Sequence, residues 1–424
     1  MVRSYQDTEI GKIPSDWEVD ILGNRAQVNR GASPRPIQDY LTDSPDGVNW
    51  IKIGDGEAGG KYIASTRERI VREAVSASRY VQQGDFLLSN SMSFGRPYIL
   101  QIDGCIHDGW LVIQDYNKTL YRDFLYYVLS SDLVQKQYIE VAAGSGVQNL
   151  NKDKVQCVQI PIPLMKEQIL IAKALSDIDN LISTQESLIA KKQVLKQGAM
   201  QELLTGKRRL AGFAGKWQEK TFCEVFDILP NNTFPRDKMQ NHPGTIGNIH
   251  YGDVLIKYGE LLDCQNSEIP YLLDDITINN PRCFAQSGDV IVSDTAEDET
   301  VGKVTELANV DGCKVVSGLH TFLCRPKDKD SLALGWLGYY MNAERYHKQI
   351  LTYVTGIKVS SISKTNIADT VIEIPAKDEQ KAIVDVLMDI DRDIANQQVK
   401  LEKLRRIKSG MMDKLLTGKI RLTD

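Results

Sequence analysis

A long stretch of this chain occurs twice. Residues 167–210 recur without a gap as residues 379–422, at a constant offset of 212, and 20 of the 44 paired positions are identical. A repeat of this length, in a chain of 424 residues, predicts two copies of one structural plan. Two similar units in one polypeptide can form a pseudo-dimer, which suits a target made of two parts.

Both copies have the pattern of long helices. No proline interrupts either run before Gly206 or Gly418, so we expect two helices of about 39 residues and about 58 Å. Seam positions in steps of three and four predict a coiled coil. In the first copy this seam comprises Leu175, Ile178, Ile182, Gln185, Ile189, Lys192, Lys196, Ala199 and Leu203. In the second copy it comprises Leu387, Ile390, Ile394, Gln397, Leu401, Leu404, Lys408, Met411 and Leu415.

Two equivalent halves are most simply related by a two-fold axis, which makes the helix pair antiparallel. The globular segments would then lie at opposite ends of the rod. Gln185 and Gln397 are at the midpoints of the two seams, and we expect them to face each other and fix the register. The alternative is that each glutamine points to solvent.

The remaining sequence alternates short β-rich runs with turns, so the predicted fold class is α+β, with a mixed α/β domain before each long helix. Helical patterns precede the long helices over residues 122–141 and 332–349. Trp50 and Trp110 are expected in the core. Asp85 and Asp289, each after a glycine, are expected to form turns.

Composition bounds the class of protein. The net charge of −5 argues against a protein that coats nucleic acid non-specifically. The seven cysteines never have CxxC spacing. No signal peptide and no apolar run of about 18 residues is evident, so a cytoplasmic protein with reduced cysteines is expected.

A search for catalytic motifs finds none with local support. There is no phosphate-binding loop, no base-methylation motif and no metal spacing among the five histidines. The acidic run at residues 294–299 is better explained as a solvated loop than as a nuclease carboxylate set. We therefore expect a chain that is not catalytic by itself and holds no metal.

The whole chain resembles the specificity (S) subunits of type I restriction-modification systems. The resemblance rests on the IPSDW start, the IPIP-x-x-x-EQ and EIP-x-x-x-EQ entries to the helices, the KALSDID and DVLMDID segments, and the repeated LLTGK-x-RL ends. The segments WIKIGD and NIHYGD and two strands that begin with Gly-Asp are also similar to this family. Each motif is moderately specific, and their order and duplication make the combination strong.

The resemblance implies a domain plan and a division of labour. Residues 1–164 and 211–376 would be target recognition domains, each reading one half of a split, asymmetric site in double-stranded DNA. Residues 165–210 and 377–424 would be spacer helices that set the gap and dock two methyltransferase (M) subunits. Restriction (R) subunits would join through the complex. AdoMet, ATP and magnesium would belong to these partners, and the chain itself would need no cofactor.

Base readout requires side chains with paired donors and acceptors on loops. The candidates in the first domain are Arg30, Ser33, Arg35, Lys61, Tyr62, Arg67, Arg79, Asn90 and Arg96. The candidates in the second domain are Asn231, Asn232, Arg236, Lys238, Lys257, Tyr258, Ser293 and Lys303. For each of them the alternative is a surface residue that contacts nothing.

Docking of the M subunits is expected at exposed helix and helix-end positions. These candidates are Glu167, Gln168, Asp177 and Asp179 with their counterparts Glu379, Gln380, Asp389 and Asp391. Two other classes of protein remain open: a stand-alone nuclease or methyltransferase, which needs a catalytic constellation, and a coiled-coil scaffold, which leaves two globular domains without a task.

Overall fold

The structure is a computed structural model that describes residues 4–90, 94–142, 150–356 and 359–422. The chain divides into two compact units. Unit 1 consists of residues 1–186 and 399–424, and unit 2 consists of residues 187–398. Each long helix therefore contributes one half to each unit.

Unit 1 contains thirteen of the described strands and the first five helices. Its strands are β1 (Tyr5–Thr8), β2 (Gly11–Pro14), β3 (Glu18–Ile21), β4 (Gln27–Arg30), β5 (Val48–Ile51), β6 (Tyr62–Ile63), β7 (Glu68–Ile70), β8 (Arg79–Val81), β9 (Phe86–Ser89), β10 (Pro97–Leu100), β11 (Gly104–Ile106), β12 (Trp110–Gln114) and β13 (Gln159–Ile162). Its helices are α1 (Leu22–Arg25), α2 (Arg122–Ser130), α3 (Asp132–Ala142), α4 (Lys152–Gln156) and the first part of α5 (Met165–Leu203). Short 3-10 helices span Ile37–Tyr40, Ile53–Asp55 and Arg72–Ala77.

The main sheet of unit 1 has the strand order β4-β12-β9-β10-β6. Its pairs are antiparallel except for β10 and β6, which are parallel. Leu87 and Val112 pack against the second sheet, β7-β5-β11-β8, whereas Phe86 and Leu111 pack against the helices. Because side chains alternate along a strand, the buried strands β9 and β12 contribute side chains to two apolar layers, one between the sheets and one between the main sheet and the helices.

Unit 2 is built from the other thirteen described strands and six helices. Its strands are β14 (Gln218–Thr221), β15 (Phe226–Leu229), β16 (Met239–Gln240), β17 (Gly247–Ile249), β18 (Leu261–Asp263), β19 (Tyr271–Leu272), β20 (Val290–Ser293), β21 (Thr295–Ala296), β22 (Val304–Ala308), β23 (Val315–Ser317), β24 (Thr321–Pro326), β25 (Ser360–Ser361) and β26 (Val371–Ile374). Its helices are α6 (Phe222–Val225), α7 (Tyr251–Ile256), α8 (Trp336–Asn342), α9 (Glu344–Leu351), α10 (Lys364–Ala368) and the first part of α11 (Lys377–Leu416). Its 3-10 helices span Arg236–Lys238 and Pro281–Cys283.

The main sheets of the two units have the same topology. In unit 2 the order is β15-β24-β20-β22-β18, and the pairing directions match those of unit 1 strand for strand. A small sheet, β13-β3 in unit 1 and β14-β26 in unit 2, pairs the entry to each unit with the segment just before its long helix. The prediction of two copies of one mixed α/β plan is confirmed.

The long helices have 39 and 40 residues, as predicted, and they pair in antiparallel fashion within each unit. In unit 1 Asp179 of α5 contacts Lys408 of α11, and Glu186, further along α5, contacts Arg405, further back along α11. In unit 2 Lys192 and Lys196 contact Asp393 and Asp391 in the same opposed sense. The predicted seam residues are buried or half-buried in both helices.

Of three further expectations about the fold, one was partly wrong and two were confirmed. The helical patterns at residues 122–141 and 332–349 each form two helices, because Ser131 and Ala343 adopt extended backbone between them. Trp50 and Trp110 are buried, as predicted. The Asp85 carboxylate accepts the backbone N–H of Gln82, and Asp289 accepts that of Gln286, which confirms both turns. The pairing of Gln185 with Gln397 stays a prediction.

Candidate nucleic-acid interface

The loop that follows β4 lies at one edge of the main sheet of unit 1. Arg30 at the end of β4 is opposite Leu111, and Ser89 at the end of β9 is opposite Trp110. The segments after β4 and β9 and the turn before β12 therefore meet at this edge. Connecting loops at a sheet edge are free to vary in sequence without loss of the core.

Asp108, in the turn before β12, organises this edge. Its backbone carbonyl accepts hydrogen bonds from Arg30 Nε at 3.0 Å and from Asn90 Nδ2 at 3.4 Å. Its carboxylate accepts Ser33 Oγ at 3.2 Å and Arg35 Nη2 at 3.4 Å. Four candidates from two separate segments thus converge on one residue.

The loop after β4 lies close to the turn before β12, but the side chain of its Arg35 remains accessible. A Cβ atom at Gly31 would lie 2.1 Å from the carbonyl oxygen of His107, so only glycine fits there. The Arg35 side chain is 82% exposed. A planar guanidinium on an ordered loop is the group best suited to read a guanine edge or to hold a phosphate.

Strand β8 brings Arg79 to the same place. Arg79 Nε donates to the carbonyl of Arg30 at 3.3 Å, and the neighbouring Ser78 Oγ donates to that of Ala32 at 2.8 Å. Below the loop lies a cavity of about 360 Å³ lined by Arg35, Trp50, His107 and other residues of the edge. Because Trp50 is buried, it serves as a wall and not as a stacking surface.

The other candidates of unit 1 lie elsewhere. The expectation that Lys61 contacts DNA is corrected. Its Nζ pairs with Asp123 at 2.6 Å and its side chain is only 16% exposed, so Lys61 packs against α2. Tyr62 and Arg67 are exposed, on β6 and just before β7. Arg96 is half-buried against the Tyr98 ring. Asn90 is itself 5% exposed and supports the edge from below. Residues 91–93, between Asn90 and Arg96, lie outside the described residues.

Unit 2 has the equivalent edge, with different side chains. Asn232 is buried, and its Nδ2 donates to Asn248 Oδ1 at 2.7 Å and to the carbonyl of Ser317 at 2.9 Å. Asn231 Nδ2 donates to the carbonyl of Gly318 at 3.2 Å. Asn232 is therefore corrected to a residue that anchors the loop after β15 to strands β17 and β23.

Arg236 is the exposed arginine of this edge. Its two terminal nitrogens bond the Asp253 carboxylate at 2.8 and 2.9 Å, while its side chain remains 52% exposed. This fork of hydrogen bonds raises the pKa of Arg236 and holds the guanidinium plane in one orientation. Lys238 is exposed two residues further on.

The remaining candidates of unit 2 are mostly occupied within the fold. Tyr258 is buried and donates to the carbonyl of Glu268, which also accepts Lys257 Nζ at 2.6 Å. Ser293 is fully buried. Lys303 Nζ donates to the carbonyl of Leu255 at 2.8 Å, and burial lowers its pKa. The expectation that Tyr258, Ser293 and Lys303 are free to contact bases is wrong in this conformation.

Histidines and a tyrosine at the two edges were not among the candidates. His107 precedes β12 and His320 precedes β24, with side chains 42% and 48% exposed. The His320 ring lies edge-on to Tyr251 at 5.4 Å, and Tyr251 also contacts the ring of His250 at 4.5 Å. The signal in the sequence is the place of His107 and His320 in turns just before strands, which a search for metal spacing does not register.

Four of the expected docking residues are not exposed. Glu167, Gln168, Glu379 and Gln380 are each at most 4% exposed, so the premise of exposure is wrong for them. Gln168 accepts the backbone N–H of Tyr121 at 2.8 Å, and Gln380 accepts that of Ala333 at 2.8 Å. Both glutamines fasten the start of a long helix to its own domain.

The two glutamates hold the ends of the repeat. Glu167 accepts Arg421 Nε at 2.6 Å and Trp17 Nε1 at 3.0 Å, and Arg421 also pairs with Asp16 at 2.8 Å. In unit 2 Glu379 accepts Arg209 Nη2 at 2.6 Å. The pairing is short and enclosed, because the Arg421 side chain is only 7% exposed.

The other docking candidates differ in exposure. Asp177 pairs with Lys173 and Asp389 with Arg392, both at 2.8 Å on exposed helix faces. Asp179 and Asp391 are half-buried and hydrogen-bonded to tyrosines of the globular domains. Only Asp177 and Asp389 fully retain the exposure on which the docking prediction relied.

None of the helices in the described part of the chain combines the length and apolar character needed to cross a bilayer. Over the same residues, no group of three or more His, Cys, Asp and Glu side chains is placed to hold a metal ion.

Comparison with known proteins points to one family. The model of the type I restriction modification DNA specificity domain matches twice, over residues 14–193 and 215–406. The MjaVIII type I restriction enzyme specificity subunit of Methanocaldococcus jannaschii is 24% identical over 97% of this chain and 94% of its own length. The EcoKI specificity subunit of Escherichia coli K12 is 22% identical over 61% of this chain and 59% of its own.

Solved structures support the fold. A chain from a study of complex assembly and conformational transition of the type I R-M system aligns with a TM-score of 0.63 at 20% identity, covering 96% of this chain and 99% of that one. The S subunit of a type I system from M. genitalium aligns with a TM-score of 0.53 at 13% identity, over 94% and 96%. With two matches of the family model that together cover most of its length, this chain belongs to the type I restriction-modification DNA specificity family.

Proposed function

We propose that each unit reads one half of a bipartite, asymmetric DNA site and that the long helices set the gap between the halves. The observation that carries this proposal is the equivalent sheet edge, which has the same strand ends in both units but Arg30, Ser33 and Arg35 in one and Asn231 and Arg236 in the other. A shared scaffold with different side chains is what two different half-sites require.

The proposal separates contact residues from supporting ones. Arg35 and Arg236 meet bases or phosphates, since their guanidinium groups are exposed and oriented by Asp108 and Asp253. Asn232 acts indirectly, by holding its loop. The acidic net charge of −5 means that partner subunits supply much of the phosphate contact.

The proposed assembly contains two methyltransferase subunits docked on the helices, with restriction subunits joining through them. In this assembly the chain contributes recognition and no catalysis. AdoMet, ATP and magnesium act on the partner subunits, and the complex works in the cytoplasm. The exposed helix faces that carry Asp177 and Asp389 are available for docking.

The decisive experiment is methylation by the chain with its methyltransferase partner, after the target has been identified by methylome sequencing. Arg35→Ala and Arg236→Ala are each expected to lower methylation at the target by about tenfold or more, the cost of a lost base contact. Arg30→Ala is expected to lower it as well, because its Nε no longer ties the start of the loop to the Asp108 carbonyl. Arg72→Ala, an exposed arginine whose Nε donates to the carbonyl of Asp46, is the control. Full activity in all three variants contradicts the residue assignment.

A binding assay addresses the alternatives. Specific retention of target DNA by the complex, and not of a DNA with one half-site scrambled, is expected for a specificity subunit. A scaffold without DNA recognition would retain neither duplex selectively. Methylation by the chain alone, without its partner, would instead indicate an enzyme.

A further inference from the structure

A buried tyrosine, an aspartate and a lysine meet where the long helices join unit 1. The Tyr127 hydroxyl of α2 donates to Asp179 Oδ2 at 2.7 Å, and Lys408 Nζ of α11 pairs with Asp179 Oδ1 at 2.6 Å. Tyr127 is 1% exposed. Asp179, on α5, is thus bound by the globular domain on one oxygen and by the other long helix on the second.

Unit 2 contains the same cluster at an offset of 212 residues. The Tyr339 hydroxyl of α8 donates to Asp391 Oδ2 at 2.6 Å, and Lys196 Nζ of α5 pairs with Asp391 Oδ1 at 2.7 Å. Tyr339 is 2% exposed. The roles of the two carboxylate oxygens are identical in the two units, so the repeat preserves a geometry and not only an amphipathic pattern.

Both tyrosines are suited to a permanent donor role. Burial raises the pKa of Tyr127 and of Tyr339 above the ordinary value of a tyrosine hydroxyl. The hydroxyls therefore stay protonated, and hydrogen bonds from a buried donor to a carboxylate are among the stronger ones in proteins.

The sheet also reaches this cluster, with opposite charge in the two units. Glu260, which precedes β18, pairs with Lys196 at 2.8 Å. Lys61, which precedes the equivalent strand β6, lies 4.9 Å from the centre of the Tyr127 ring. In each unit, main sheet, domain helix and both long helices are therefore tied at one point.

We infer that these two clusters are positioning sites that fix the direction in which each long helix leaves its recognition domain. This inference rests on the proposed function, in which the helices set the gap. A tilt of about 4° at one end of a rod of about 58 Å moves the other end sideways by about 4 Å. That sideways displacement is comparable to one base-pair step of about 3.4 Å and is enough to misplace a recognition loop on its half-site, so the stringency of gap selection depends on the rigidity of the clusters.

The test uses the full chain in complex with its methyltransferase partner and three DNAs that carry the target with its natural gap or a gap one base pair shorter or longer. The variants are Tyr127→Phe, Tyr339→Phe and the double mutant, which remove one hydroxyl each and keep the ring. The ratio of methylation rates between the natural and the altered gaps is expected to fall by about tenfold in the double mutant, equivalent to about 1.4 kcal/mol. The half-site sequences that are methylated stay the same.

Two tyrosines inside the domains provide matched controls. Tyr116 donates to the carbonyl of Gly84 at 2.6 Å, and Tyr346 lies 2.8 Å from Thr370 Oγ1. Tyr116→Phe and Tyr346→Phe are expected to lower the melting temperature without changing the gap ratio. An unchanged gap ratio in the double mutant, with a loss of stability similar to that of the controls, overturns the inference.

Failure of the proposed function has a different signature. If the wild-type complex does not distinguish scrambled half-sites, the function itself is wrong. If it does so while the cluster variants keep full gap discrimination, only the positioning role fails. Should the tyrosine variants not assemble, Lys196→Gln and Lys408→Gln disturb the same clusters from the other side and are judged by the same ratio.

Discussion

Glu306 is a carboxylic acid enclosed in the core of unit 2. It lies on β22, is 2% exposed, and accepts the backbone N–H of Gly338 at 2.9 Å. Burial raises its pKa to about 7, from an ordinary value of 4.5. The folded state therefore holds a proton that the unfolded state releases, and this contribution to stability, complete below pH 4.5, is lost as the pH rises through 7.

We predict that unit 2 loses about 1.4 kcal/mol of stability between pH 6 and pH 8 because of this group. Glu306→Gln keeps the acceptor oxygen without the charge and is expected to remove that loss. Urea unfolding at both pH values measures it, with the exposed Glu268 changed to Gln as the control. An equal pH dependence in wild type and Glu306→Gln would contradict the assignment.

Asp108 offers a second prediction at the same scale. Its carboxylate binds Ser33 and Arg35, so Asp108→Ala frees the loop after β4 while the sheet remains intact. We expect affinity for the target to fall by about tenfold, the order of one charge-assisted hydrogen bond. The salt dependence of binding should stay unchanged, because no phosphate-contacting cation is removed. Titration of target and random duplexes at two salt concentrations gives both quantities.

At the scale of the elements, the end of α11 is fastened to unit 1 by Arg421. Removing its guanidinium leaves Glu167, only 4% exposed, without its cation. We predict that Arg421→Ala destabilises unit 1 by about 3–5 kcal/mol, as expected for one partner of a buried ion pair. Arg405→Ala removes an arginine that is 51% exposed and should destabilise the unit far less, because exposed ion pairs contribute little to stability. Similar thermal unfolding of both variants would refute the fastening role.

The same contact explains which parts of the helices could be predicted from sequence. The seam follows from spacing alone, since every third or fourth side chain of a helix faces one side. The burial of Glu167 does not follow from the spacing of residues, because it depends on Arg421, which is 254 residues away in the chain. Lys61 was misread for a related reason: only the fold places Asp123 beside it.

At the scale of the whole molecule, the contacts that the two halves share and the side chains in which they differ lie on different surfaces. The contacts repeated at the offset of 212 residues, such as Tyr127 with Asp179 and Tyr339 with Asp391, lie where domain and helix join. The side chains at the sheet edges differ. Sequence could predict the shared plan, but the convergence of Arg30, Ser33 and Asn90 on Asp108 requires strand order, which spacing does not encode.

The proposed spacer role leads to a prediction about the gap itself. Inserting about four residues, one helical turn or about 6 Å, into one long helix should lengthen the preferred gap by one or two base pairs of about 3.4 Å each. Methylation of targets with graded gaps measures the preference. A four-residue insertion in the exposed turn at Asp311, outside the helices, should leave the preference unchanged. If the helix insertion also leaves it unchanged while methylation persists, the long helices do not measure the gap, and the recognition domains must select it through the shape of the intervening DNA.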